Sequence, residues 1–87
     1  MNPPLKYQDF KRIDMIISGV PIDIIEFDTS TYLVCLFNNK LGDICISVNT
    51  RKEADLCFYR LRCGKPINCY GYVNKNKSEF YKTLYLK

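Results

Sequence analysis

Aromatic rings interleaved with basic side chains are the constellation in this chain whose residue types point to chemistry. Four tyrosines fall on one side of two predicted strands near the C-terminal end: Tyr70, Tyr72, Tyr81 and Tyr85. Flat rings at strand spacing can stack nucleobases at about 1–3 kcal/mol each, and nearby lysines can contact phosphates. The lysines closest to these rings in the sequence are Lys65, Lys75, Lys77 and Lys82.

The same tyrosines allow two other interpretations. Tyrosine favours strands by propensity and its hydroxyl tolerates water, so these rings could be ordinary sheet surface. Tyrosine is also enriched where proteins meet. A partner subunit or a second copy of the chain could therefore cover the side that carries Tyr81 and Tyr85.

Catalytic and metal-binding patterns are missing from the sequence. The chain has no histidine, its nine acids are scattered, and no glycine-rich phosphate loop occurs. Its five cysteines are odd in number and form no Cys-x-x-Cys pair, which argues against a zinc site. We therefore predict no enzyme activity, no cofactor and no metal, with the cysteines as small buried hydrophobes in a reducing compartment.

Length and charge limit the remaining classes. Eighty-seven residues allow one domain, and a net charge of +4 suits phosphate contact without requiring it. The polar start with two prolines is not a secretion signal, and no apolar run has the length of a membrane span. The prediction is an intracellular protein without a membrane partner, nuclear if eukaryotic and otherwise cytoplasmic. Residues 1–10 are expected to form a tail or short helical turn, and residues 11–87 a single domain.

Apolar runs separated by turn residues predict the order strand, strand, strand, helix, strand, strand. The runs are 13–27, 31–37, 44–48, 51–61, 66–73 and 79–86. Gly19 within the first run predicts a bend, and Thr50 with Glu53 forms a capping box before the helix. The helix has one apolar stripe, so it should cover a core on one side only.

This order is that of an OB-fold, which holds single-stranded nucleic acid or another protein. We predict a mainly β chain: a five-stranded Greek-key OB-fold barrel with one α-helix between strands 3 and 4. An SH3-like or Sm-like barrel is disfavoured because the helix does not precede the first strand.

Five stretches of sequence resemble a known family of OB domains. They are 11–14, 19–22, 32–34, 38–44 and 64–73, with glycines at positions 19, 42, 64 and 71 as the firmest points. Together they resemble the OB domains of the middle subunit of replication protein A and of telomere-capping proteins. The resemblance implies a ligand site on the second and third strands and nearby loops, at Phe37, Lys40, Tyr72, Lys75 and Lys77.

The predicted function is non-catalytic binding of single-stranded nucleic acid, with DNA favoured over RNA. The predicted contacts are Phe37, Lys40, Tyr70, Tyr72, Lys75, Lys77, Tyr81 and Lys82. The alternative is a small protein-interaction subunit of a replication, repair or telomere complex, or a viral or mobile-element mimic of one. In that alternative, Tyr81 and Tyr85 form the interface.

Overall fold

The computed structural model describes residues 13–38 and 40–86, which form a single sheet and one helix. The strands are β1 (Met15–Ile17), β2 (Val20–Asp28), β3 (Thr31–Asn38), β4 (Gly42–Val48), β5 (Ile67–Val73) and β6 (Ser78–Leu86). The helix, α1 (Arg51–Arg62), lies between β4 and β5 in the chain. The mainly β class and the position of the helix are therefore confirmed, while the predicted tail at 1–10 lies outside the described residues.

The predicted number of five strands is wrong, because the long first run forms two strands rather than one bent strand. The division falls at Ser18 and Gly19, between β1 and β2. A Cβ on Gly19 would overlap the carbonyl oxygen of Phe37 and lie 3.3 Å from the Leu86 side chain. Only glycine lets the chain pass this close to β3 and β6 at once.

The sheet has the strand order β1-β6-β5-β4-β3-β2. The strands from β2 to β6 pair antiparallel in chain order, β2 with β3 through to β5 with β6, and β1 pairs parallel with β6. A Greek-key order is not among the described pairings, and they do not close the sheet. Its two edge strands are nevertheless joined by Ser18 and Gly19, and the Asn38 side-chain amide donates a hydrogen bond to the Ser18 carbonyl. The two edges therefore converge at this bend.

The core lies between the helix and one face of the sheet, which we call the inner face. Its buried side chains alternate along the strands: Val34, Leu36, Ile44, Ile46, Val48, Ile67, Cys69, Val73, Phe80, Leu84 and Leu86. The helix adds Ala54, Cys57 and Leu61. On the opposite face of β4, Cys45 and Ser47 are also buried.

Local signals set both ends of α1. The Glu53 backbone N–H donates to the Thr50 hydroxyl oxygen at 3.1 Å, which is the N-cap half of the predicted capping box. The Glu53 carboxylate accepts from the Thr50 hydroxyl at 3.4 Å. Arg60 and Arg62 lie in the last turn, where cations interact favourably with the helix dipole. Gly64, with φ of 68°, ends the helix in the left-handed region.

We expect Gly19→Ala to destabilise the protein by about 1–3 kcal/mol, since the added methyl group must displace either β3 or β6. Urea denaturation followed by circular dichroism measures the change. The exposed Lys65→Ala variant is the control and should stay within about 0.5 kcal/mol of the parent. Equal midpoints for both variants would show that the bend has room for a side chain.

Candidate nucleic-acid interface

The face opposite the core, here called the outer face, carries two rows of side chains that run across the strands. Register places the first row, the tyrosine row, at Ile25, Leu33, Ser47, Tyr70 and Tyr81. Side chains directly opposite on neighbouring strands lie about 4.5–5.5 Å apart at Cβ. Tyr70 and Tyr81 are such a pair, so two of the predicted rings are brought together.

The second row, the thiol row, lies two residues along each strand, toward the β3–β4 turn. Its members are Asp23, Cys35, Cys45, Tyr72 and Glu79. Tyr72 therefore lies beside Cys45 and close to Tyr70, which places three predicted rings on two adjacent strands. The carboxylates at both ends of this row were not anticipated.

The lysine-bearing turns lie side by side at one end of the outer face. The Asn74 backbone N–H donates to the Asp43 carbonyl at 2.9 Å, which joins the β5–β6 turn to the start of β4. A Cβ on Gly42 would lie 3.8 Å from the Cβ of Lys75. The turns therefore place three exposed lysines at this end of the sheet: Lys40, Lys75 and Lys77. The Lys77 ammonium group also donates to the Asn74 side-chain oxygen at 3.0 Å.

The other predicted contacts are placed less uniformly. Phe37 is on the outer face, 45% exposed and opposite Asp43. Lys82 is exposed but registers with the buried Cys69, so it belongs to the inner-face set rather than to the tyrosine row. Lys82 therefore does not share the face of Tyr81, and its nucleic-acid contact stays a prediction.

Tyr81 and Tyr85 do not form one continuous contact. Tyr81 is 47% exposed, and its hydroxyl accepts a hydrogen bond from the Asn68 side chain at 3.1 Å. Tyr85 is partly buried, with its hydroxyl 3.6 Å from where a Cβ on Gly64 would lie. Thr83 between them is buried. The two rings therefore present separate surfaces.

Hydrogen bonding perturbs two of the face tyrosines. Tyr70 donates to the Glu79 carboxylate, and this bond raises the pKa of the Tyr70 hydroxyl above its ordinary value. A hydrogen bond to Cys45 raises the pKa of Tyr72. The partners of both hydroxyls, Glu79 and Cys45, belong to the thiol row. Both tyrosines stay uncharged at neutral pH.

Four of the five cysteines are buried, as the sequence analysis expected, and Cys63 is exposed. Desolvation by burial raises the pKa of Cys69 to about 12, and burial also raises that of Cys57. Within 13–38 and 40–86, no three side chains of the metal-ligating types come together.

No helix in the described part of the chain has both the length and the apolar character needed to cross a membrane.

An exposed apolar strip on β2 was missed by the sequence analysis. Four of its large side chains are 44–66% exposed: Val20, Ile22, Ile25 and Phe27. Ile22 and Phe27 fall at the two irregularities of the β2–β3 register, so they are not paired across the ladder. The adjacent Ile24-Ile25 pair breaks strict alternation and was the available signal.

No protein-family model, curated protein or solved structure matches this chain.

We expect Glu79→Gln to lower the pKa of Tyr70 toward about 10, because the neutral amide no longer favours the protonated phenol. The ¹³Cζ shift of labelled Tyr70 followed against pH measures it. Because the pKa of Tyr70 is raised in the folded state, its hydrogen bond to Glu79 stabilises the fold in full below about pH 10. This stabilisation is lost as the pH rises through the folded-state pKa of Tyr70.

The matched control for that titration is Asp43→Asn, which removes a carboxylate from the same face but leaves the Tyr70–Glu79 bond in place. A Tyr70 titration that responds equally to both substitutions would contradict the assignment to Glu79.

Proposed function

We propose that this chain binds single-stranded nucleic acid, DNA rather than RNA, on its outer face and without catalysis. Bases stack on Tyr70, Tyr72 and Tyr81, and the lysines at the turn end hold the backbone. The observation that carries the proposal is the hydrogen bond from Asn74 to Asp43, which brings the lysine-bearing turns together beside these rings. A protein that binds single-stranded nucleic acid without sequence preference needs aromatic rings for the bases and cations beside them for the phosphates.

The acids of the outer face determine how such a strand would lie. Asp43 lies at the same end as the lysines and Glu79 lies opposite Tyr72, and both carboxylates repel phosphate from the face itself. The backbone should therefore follow the outer rim, on the turns that carry Lys40 and Lys75. The rings then receive bases rather than phosphates. With only three lysines in contact, the expected affinity is modest and its salt dependence moderate.

The proposed scaffold is an OB-like barrel that is incomplete in hydrogen bonding. Its support is the convergence of both sheet edges at Ser18 and Gly19, and a capped helix that covers the inner face between β4 and β5. The sequence resemblance to OB domains that handle single-stranded DNA adds to this support. An intracellular role in replication, repair or telomere maintenance belongs to the same proposal.

We expect affinity for a labelled oligothymidylate to fall about twentyfold between roughly 50 mM and 200 mM salt, as three lysine–phosphate contacts require. Tyr81→Ala should weaken binding by about 1–3 kcal/mol through lost stacking. Lys75→Gln should reduce the slope of log affinity against log salt concentration by about 0.7 in magnitude. Fluorescence anisotropy measures all three.

The controls for this titration are on the solvent side of α1. Lys52→Gln removes an equal charge and Tyr59→Ala removes an exposed ring, both away from the outer face. Neither should change affinity or slope. Absence of binding at low salt, or equal losses from test and control variants, would reject the proposal.

A second candidate function is a protein interface on β2. Two hollows lie between β2 and α1, and Ile24 and Phe58 line both of them. The smaller, of about 200 Å³, includes the exposed Ile22, and the larger, of about 400 Å³, includes Tyr59. Exposed apolar side chains beside an apolar hollow are typical of interaction sites. The strand is less suited to simple strand addition, because Pro21 lacks an N–H and the Asp23 carboxylate accepts from the Ile24 N–H at 2.8 Å. Side chains rather than backbone would make this contact.

We expect β2-mediated self-association to strengthen with salt, opposite in sign to oligonucleotide binding. Each copy brings Asp23, Glu26 and Asp28 to the strip, and salt screens their mutual repulsion. Light scattering against concentration and salt measures it, and the double substitution Ile22→Ser with Phe27→Ser should abolish it without changing oligonucleotide affinity. A chain that stays monomeric throughout argues against a second copy as the partner.

A further inference from the structure

A pair of thiols lies at the centre of the outer face and takes no part in the binding proposed above. Cys35 on β3 and Cys45 on β4 are directly opposite in register, with their Sγ atoms 4.0 Å apart. Both are free thiols. We propose that Cys35 and Cys45 form an oxidation site, at which a small-molecule disulfide converts the two thiols into one cross-strand disulfide.

The backbone already holds the two residues at bridging distance. Residues opposite each other in an antiparallel pair have Cα atoms about 4.5–5.5 Å apart. Disulfides bridge Cα separations of about 4.4–6.8 Å. The sulfur atoms have to move about 2 Å closer to reach bonding distance, which side-chain rotation can supply.

The reaction is a balanced thiol–disulfide exchange. A thiolate of the pair attacks one sulfur of the oxidant, and the oxidant's sulfur–sulfur bond breaks to release one small thiolate. The second protein thiolate then attacks the mixed disulfide, so the Cys35–Cys45 bond forms and a second small thiolate leaves. The protein loses two electrons and two protons, and the oxidant becomes two thiols.

The surroundings of the pair make this reaction slow near neutral pH. Desolvation raises the pKa of Cys35 to about 12, and the neighbouring Cys45 adds to the shift. The carboxylates facing Cys35 are Asp23 on β2 and Asp43 on β4, and both act in the same direction. From β5, the Tyr72 hydroxyl bonds to Cys45, and Glu79 on β6 is opposite Tyr72. Because the thiolate is the nucleophile, the rate should rise by up to about tenfold from pH 7 to pH 8.

Closing the bond changes a residue of the outer face. Tyr72 loses the thiol to which it is hydrogen-bonded, because the Cys45 sulfur becomes part of the disulfide. Oxidation therefore alters the ring next to Tyr70, whatever that face binds. The inference stands without the nucleic-acid proposal, since it rests on the cysteine pair alone.

The spacing of basic residues makes the linkage directly readable by mass. Trypsin separates Cys35 (peptide 13–40) from Cys45 (peptide 41–51), while Cys57 falls in peptide 53–60. Cys63 and Cys69 stay together in peptide 63–75, because Lys65 precedes a proline. No other pairing gives the same joined product.

The test incubates the folded full-length chain with oxidised glutathione, quenches with acid, alkylates in denaturant and digests with trypsin. The expected product is peptide 13–40 joined to peptide 41–51, lighter than their sum by two hydrogen atoms. It should form faster at pH 8 than at pH 7. Cys63→Ser is used in parallel to remove the exposed thiol, which would otherwise join two chains.

Two controls make the result decisive. Cys45→Ser should leave peptide 13–40 unjoined, and the chain oxidised in denaturant should give a mixture of pairings. The proposal is overturned if the folded chain gives that same mixture. It is also overturned if peptides 13–40 and 41–51 are recovered separately while Cys63 has reacted with glutathione.

Discussion

The close approach at Gly19 is the constraint on which this fold depends. Within two residues the chain leaves β1, which is held by β6, and enters β2, which is held by β3. The Asn38 amide contacts the Ser18 carbonyl at the same place. One short segment therefore brings the two edge strands of the sheet together. The helix α1 covers the inner face, where its Cys57 and Leu61 join the buried core.

Much of the fold could be predicted because local rules and the packed structure agree. Alternation on β4 and β5 identifies the inner face, and the Thr50–Glu53 capping box identifies the helix start. The strand count could not be predicted, since a glycine in an apolar run signals a bend without saying which strands flank it. The exposed position of β2 at the edge of the sheet could not be predicted either, because composition does not distinguish an edge strand from a central one.

The candidate site was less predictable because it depends on register across strands. Tyrosines on one strand face follow from period-two alternation, but their neighbours come from elsewhere in the chain. Only the β5–β6 pairing shows that Glu79 lies next to Tyr72. The same pairing places Lys82 in register with Cys69. Cys35 and Cys45 are equally distant in sequence from Lys40. Their pairing could therefore be predicted only if the β3–β4 turn were known to be centred on Lys40. A turn type fixed from sequence would have supplied that register.

The parallel pairing of β1 with β6 bears on how the chain acquires its structure during synthesis. The Thr83 N–H donates to the Asp14 carboxylate across 69 positions of sequence, so the first strand has no permanent neighbour until the last one emerges from the ribosome. Such distant pairing slows folding, since the entropy of closing a long loop is lost before any contact compensates for it. The nascent chain thus completes most of its translation before β1 has a partner, a period in which the apolar side chains of β1 are open to a chaperone.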